Sequence, residues 1–122
     1  IVPCKNRWCW DYALLMFTPV WTHLSELTGD SSYLEFADRE FWATTDYLFD
    51  PEDNMFFRDS RYFDQREANG AKIFWGRGNG CVLSCITRKL KHLPKDNVNS
   101  ERYEDVFRKM STALIREQTD EV

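Results

Sequence analysis

Apolar residues recur along four stretches of this chain at steps of three and four, the period of one helix face. From about Trp10 to Thr28 the stripe is Ala13, Phe17, Val20, Leu24 and Leu27, and Gly29 supplies a left-handed stop. From about Ser32 to Phe49, Leu34, Ala37, Phe41 and Leu48 share one side. Ser32 and Glu35 have the spacing of a capping box, and Asp50-Pro51 ends the segment. From about Cys81 to His92 the stripe is Val82, Cys85, Ile86 and Leu90, continued by Leu93 and closed by Pro94. From about Ser100 to Gln118 it is Tyr103, Val106, Phe107, Met110 and Leu114.

These segments predict an all-α fold of about four helices, two helical hairpins joined by a connection of roughly 25 residues. Asn54 to Phe63 (NMFFRDSRYF) reads as short extended pieces because it is so aromatic. Asp64 to Lys72 is polar, with a turn signal at Asn69-Gly70. Ile73-Phe74-Trp75 then leads into the glycine-rich run Gly76-Arg77-Gly78-Asn79-Gly80. A connection this long is usually functional or disordered, and this one is too aromatic for disorder.

Composition narrows the classes. The 122 residues make one small domain, 43% hydrophobic. The net charge of −4 argues against a nucleic-acid binder that works by bulk electrostatics. No stretch approaches the roughly 20 apolar residues of a membrane span. Both ends read as cuts, Ile1 at the start and Val122 soon after a helical pattern, so the chain is expected to be part of a larger protein. Cys4, Cys9, Cys81 and Cys85 are too few for a disulfide scaffold and lack zinc-ligand spacing, while His23 and His92 stand isolated. Cys81 and Cys85 stack on one helical face as small core residues, and no metal is expected.

Candidate chemistry concentrates in two places. Between Arg58 and Arg77 five basic residues face three acidic ones in an otherwise acidic chain, a balance suited to an anionic ligand. Alternating glycines before a helix leave N–H groups open to a ligand, and Arg77 can grip a carboxylate with two hydrogen bonds. The run lacks the G-x-G-x-x-G of a dinucleotide site and the Lys-Ser/Thr of a P-loop, so a sugar acid fits better than a nucleotide. At the other place, Trp8 and Trp10 crowd Asp11 at a helix start. Indoles stack on pyranose rings, and a carboxyl beside them loses solvation and gains pKa, the condition for a general acid. The plainer readings are a solvated loop, a glycine-rich helix entry, core tryptophans and a first-turn acid.

The stretches RWCWDYALLMFTPVW, TGDSSYLEFADREFWATTDYLFDPEDNMFFRDSRYF and REANGAKIFWGRGNGCVLSCITRKLKHLP resemble unsaturated rhamnogalacturonyl hydrolases. These form glycoside hydrolase family 105, close to the unsaturated glucuronyl hydrolases of family 88. The resemblance runs from about Arg7 to Gln118, and W-x-R-G-N-G followed by a helix ending in Leu-Pro is its most specific part. It implies that residues 1–122 are part of an (α/α)6 barrel, a ring of six helical hairpins, of which this chain carries about two. It implies a short pectin fragment ending in a 4,5-unsaturated galacturonyl unit as substrate, with no metal or cofactor. An aspartate protonates the C=C bond and activates a water that adds to the adjacent carbon; the hemiketal then opens and releases the next sugar.

Carried over by position, Trp10, Met16, Arg58, Trp75, Arg77 and Asn79 match residues that line the family's pocket. Two positions depart. Tyr12 stands where the catalytic aspartate belongs, which leaves Asp11, one residue early, as the candidate acid. Cys81 stands where a tryptophan usually follows R-G-N-G. The expected function is an unsaturated-uronyl hydrolase segment, inactive by itself. Its expected partners are a uronate-containing oligosaccharide and the rest of the barrel or a second copy. A catalytically dead sugar-acid-binding protein and a helical-repeat interaction module are the alternatives.

Overall fold

In a computed structural model, which describes residues 8–94 and 96–118, four helices carry the chain. They are α1 (Asp11–Thr28), α2 (Ser32–Leu48), α3 (Gly76–His92) and α4 (Ser100–Glu117). Gly29 stops α1 with φ 72°, the left-handed turn expected of it. At the start of α2, Asp30 accepts from the Ser32 N–H and Ser31 Oγ reaches Glu35, so the capping sits one residue earlier than expected.

The two hairpins form as expected, and their relation fixes the site. Asp11 lies against Gly78, the Cys85 thiol donates to the Leu14 carbonyl, and Glu26 meets His92. Positions advance together, so α1 and α3 run side by side in the same direction. α2 packs on α1, and α4 packs on α3. The core between them holds Leu14, Phe41, Phe56, Val82, Ile86, Tyr103 and Met110, all fully buried. Each such side chain contributes about 1.5–3 kcal/mol by leaving water.

Of the stripe expected on α1, Ala13 is buried but most of the rest is not. Phe17, Val20 and Leu27 are 43, 53 and 80% exposed, while Asp11, Leu14, Thr18 and Thr22 are buried. Part of the reason is local: Thr22 donates its hydroxyl to the Thr18 carbonyl, which lets that polar side chain be buried. Trp21 packs α1 on α2 through Tyr33 and Phe36. Pro19 lies inside α1 without ending it.

A second surprise is polar. Lys89 is fully buried and pairs with Asp38 at 2.6 Å, over the Tyr103 ring. The Tyr103 hydroxyl and the Asn99 carboxamide also donate to Asp38, both at 2.8 Å. Burial holds the Lys89 ammonium below its ordinary range, against the pull of Asp38. This cluster ties α2, α3 and α4 together. Cys85 is a core thiol that burial pushes up to about 12, whereas Cys81 is only half-buried; Cys4 lies outside the described residues.

The connection is ordered by its own side chains. Two-residue strands β1 (Phe49–Asp50) and β2 (Met55–Phe56) pair antiparallel around a turn containing Asn54 at φ 56°. Ser60–Tyr62, expected to be extended, forms a 3-10 turn capped by the Asp59 carboxylate. Asn69-Gly70 turns as expected, with Gly70 at φ 85°. No helix among the described residues is long and apolar enough to cross a membrane.

Candidate active site

The largest correction to the expected elements falls on α3. It begins at Gly76, not near Cys81, so the glycine run is the first turn of the helix. Gly78 explains why glycine stands there. A Cβ on it would collide with the Asp11 carboxylate and the Trp75 ring. Only a residue without a side chain lets the start of α3 close on the start of α1.

Asp11 is held from several sides. Its N–H donates to the Arg58 carbonyl at 3.1 Å, and its Oδ1 accepts from the Tyr12 N–H at 2.7 Å. Among the described residues its Oδ2 has no hydrogen-bond partner, and the residue is buried. Burial pushes the carboxyl up to about 7. The Tyr12 N–H and then the Arg58 guanidinium oppose that push, and Asp59 adds a smaller upward one. Half of such groups carry a proton near neutral pH.

Tyr12, the neighbour of Asp11, helps to line a cavity of about 710 Å³ together with Trp10, Arg58, Tyr62, Ile73, Phe74, Trp75 and Arg77. The ring centroids of Trp10 and Trp75 lie 5.3 and 6.1 Å from that of Tyr12. The Arg58 guanidinium lies 5.8 Å from both indoles, and that of Arg77 lies 5.0 Å over Trp75. The other cations of the connection are committed elsewhere. Arg61 holds Asp59 at 2.9 Å, Lys72 binds Asp50 and Glu52, and Arg66 donates to the Phe63 and Gln65 carbonyls. Arg58, which also lies 3.6 Å from Asp59, and Arg77 are the guanidiniums that line the cavity and can meet an anion there. Aromatic faces with such cations suit a ring carrying a carboxylate.

Of the residues singled out from sequence, Trp10, Arg58, Trp75 and Arg77 meet at this wall. Asp11 lies behind it, next to Tyr12. Met16 and Asn79 do not line it. Met16 is half exposed on α1. Asn79 is fully buried and spends its carboxamide on protein, accepting from Phe56 N–H at 2.8 Å and donating to the Phe56 and Trp75 carbonyls. It fixes β2 to the start of α3 and so positions the wall. Tyr62, Ile73 and Phe74 were not singled out; the aromatic density of the connection was the only signal for Tyr62 and Phe74. Cys81, the other departure from the family pattern, is not among the residues lining this cavity.

Comparison with known proteins agrees with the fold. The model of glycosyl hydrolase family 88 matches residues 3–121. An unsaturated 3S-rhamnoglycuronyl hydrolase of Alteromonas sp. is 42% identical over 97% of this chain and 29% of its own length. A protein of the same name from Formosa agariphila is 32% identical over 91% of this chain and 31% of its own. The solved structure of a family 88 glycosyl hydrolase from Bacteroides vulgatus superposes with a TM-score of 0.90 at 28% identity. It covers 98% of this chain and 35% of that one. The chain thus spans about a third of the proteins it matches, and its two hairpins are part of their (α/α)6 barrel fold.

Proposed function

We propose that this chain, which belongs to glycosyl hydrolase family 88, carries the proton donor and the uronate-binding wall of an unsaturated uronyl hydrolase. The observation that carries the reading is a buried carboxyl with its pKa pushed up to about 7, beside a cavity of indoles and guanidiniums. The relatives' names supply the substrate class, an oligosaccharide with an unsaturated glycuronyl unit joined to rhamnose. That is broader than the galacturonyl unit expected from sequence.

Arg77 and Arg58 would hold the uronate carboxylate, and Trp10 and Trp75 would stack on the sugar rings. The Asp11 carboxylic acid gives its proton to one carbon of the C=C bond. Water adds to the other carbon and returns its proton to the Asp11 carboxylate, which restores the acid. The hemiketal so formed opens and frees the next sugar. This is hydration of an enol ether and needs one carboxyl, unlike attack at the anomeric carbon, which needs two.

The test follows the ultraviolet absorbance of an unsaturated uronyl-rhamnose disaccharide, which hydration of the C=C erases. The whole barrel that contains this chain should consume the signal, and Asp11→Asn in it should cut the rate by about 10²–10⁴-fold. An unchanged rate in Asp11→Asn would sink the assignment. One observation favours a second reading, sugar-acid binding without turnover. Asp11 is wholly buried, and Tyr12 takes its place at the wall. Saturable binding of the disaccharide with no loss of absorbance would select that reading.

A further inference from the structure

We propose that His23, Glu26 and His92 form a binding site for a divalent transition-metal ion, best matched by Zn²⁺. The two histidines stand far apart in sequence, yet their ring centroids lie 4.4 Å apart. Glu26 Oε2 is 3.1 Å from His92 Nδ1, and one donor atom from each residue lies within 4.8 Å of the others. Ligands on tetrahedral zinc sit about 3.3 Å from one another, so small side-chain rotations complete the set. Among the described residues, the ring nitrogens of His23 have no hydrogen-bond partner, which leaves them open to a metal.

The position is built into the fold. His23 and Glu26 are three residues apart near the end of α1, on one face. His92 is the last residue of α3, which runs parallel to α1. The contacts of Cys85 with Leu14 and of Gly78 with Asp11 hold the two helices side by side. Both ends point unpaired carbonyls the same way, and their partial negative charge favours a cation there.

Two nitrogens and one carboxylate oxygen form a borderline set, suited to zinc rather than to calcium or magnesium, which take oxygen. Three ligands leave a fourth position for water. The other acidic cluster, Asp50, Glu52 and Asp53, differs in kind. The Lys72 ammonium contacts all three at 2.7, 2.6 and 3.1 Å and already supplies the cation.

The experiment titrates chelator-stripped, purified protein with Zn²⁺ in a calorimeter. One site per chain with micromolar or tighter affinity is expected, with a rise in Tm of about 5–10 °C at a hundredfold excess over Kd. His23→Ala and His92→Ala should each weaken binding by at least about tenfold. Cys81→Ser should leave binding unchanged. Absent saturable binding, binding that survives the double histidine variant, or binding lost in Cys81→Ser would each overturn the proposal. Co²⁺ in the parent protein provides a check that needs no variant. Visible d–d bands should appear with contact-shifted imidazole N–H resonances, and bands without those resonances would equally overturn it.

Discussion

The parallel helices α1 and α3 end in opposite chemistry. At their N-terminal end a carboxyl is buried behind glycine and tryptophan, and two guanidiniums face the adjoining cavity. At their C-terminal end two imidazoles and a carboxylate lie at the surface, with one hydrogen bond among them. The helix dipoles favour anions at the first end and cations at the second. Yet the dipole does not decide the state of Asp11. Its carboxyl titrates near 7 because desolvation outweighs the Tyr12 N–H and Arg58. Burial is what separates the ends: one is fixed before any ligand arrives, and the other is left to be completed by one.

The strongest way to break this contrast is to remove the buried charge. The Asp11 pKa is raised in the fold, so the unfolded chain ionises first as pH rises. The Asp11 contribution to stability is therefore full below about pH 4, falls until about pH 7 and is flat above that. The shift from 3.8 to about 7 corresponds to about 4 kcal/mol. Asp11→Asn carries no charge to bury. Urea unfolding at pH 4 and pH 8 should show the variant gaining about that much on the parent between the two. A pH-independent difference would mean that Asp11 is solvated and that the two ends are alike.

Next in size is Asn79→Ala. It leaves the buried Phe56 N–H and carbonyl without their partner, at about 1–3 kcal/mol each. Urea unfolding should show a loss of about 3 kcal/mol, and uronate binding should weaken with it as β2 and α3 part. A loss below about 1 kcal/mol would show that the wall is positioned by something else.

Asn79 also shows what the sequence could and could not reveal. The four helices were legible because Phe41, Val82, Ile86, Tyr103 and Met110 repeat at helical spacing and are all buried. The start of α3 was not, because glycines read as a loop until their packing partner is known. Gly78 belongs in a helix only because Asp11, distant in sequence, presses on it. The buried face of α1 was misread because Thr18 and Thr22 count as polar, although Thr22 satisfies its hydroxyl within the helix. Arg58, Trp75 and Arg77 were legible as a group, since charge and aromatics cluster locally in the connection. The meeting of His23 with His92, and of Lys89 with Asp38, depends on helix packing, and nothing in the local sequence announces either.

A smaller effect is expected at the cavity wall. Arg77 is exposed and stacks over Trp75, so its removal should cost affinity and spare the fold. Arg77→Ala should raise the Kd for the unsaturated disaccharide about tenfold, with Tm unchanged. Arg77→Lys keeps the charge and loses the planar fork, so it should recover only part of that. Equal affinity in all three proteins would leave Arg58 as the sole anchor and narrow the anion-binding end to one cation.

The smallest effect tests the other end. Without metal, His92 gives up only an exposed contact with Glu26 and a ring contact with His23. His92→Ala in chelator-treated protein should therefore change stability by no more than about 0.5 kcal/mol. The same substitution in saturating Zn²⁺ should lower Tm by most of the gain that the metal confers on the parent. The pair of measurements distinguishes a site completed by its ligand from a rigid structural contact. A large cost in the absence of metal would place His92 in the same class as Asn79, a residue that holds the helices together, and the asymmetry between the two ends would then be one of charge alone.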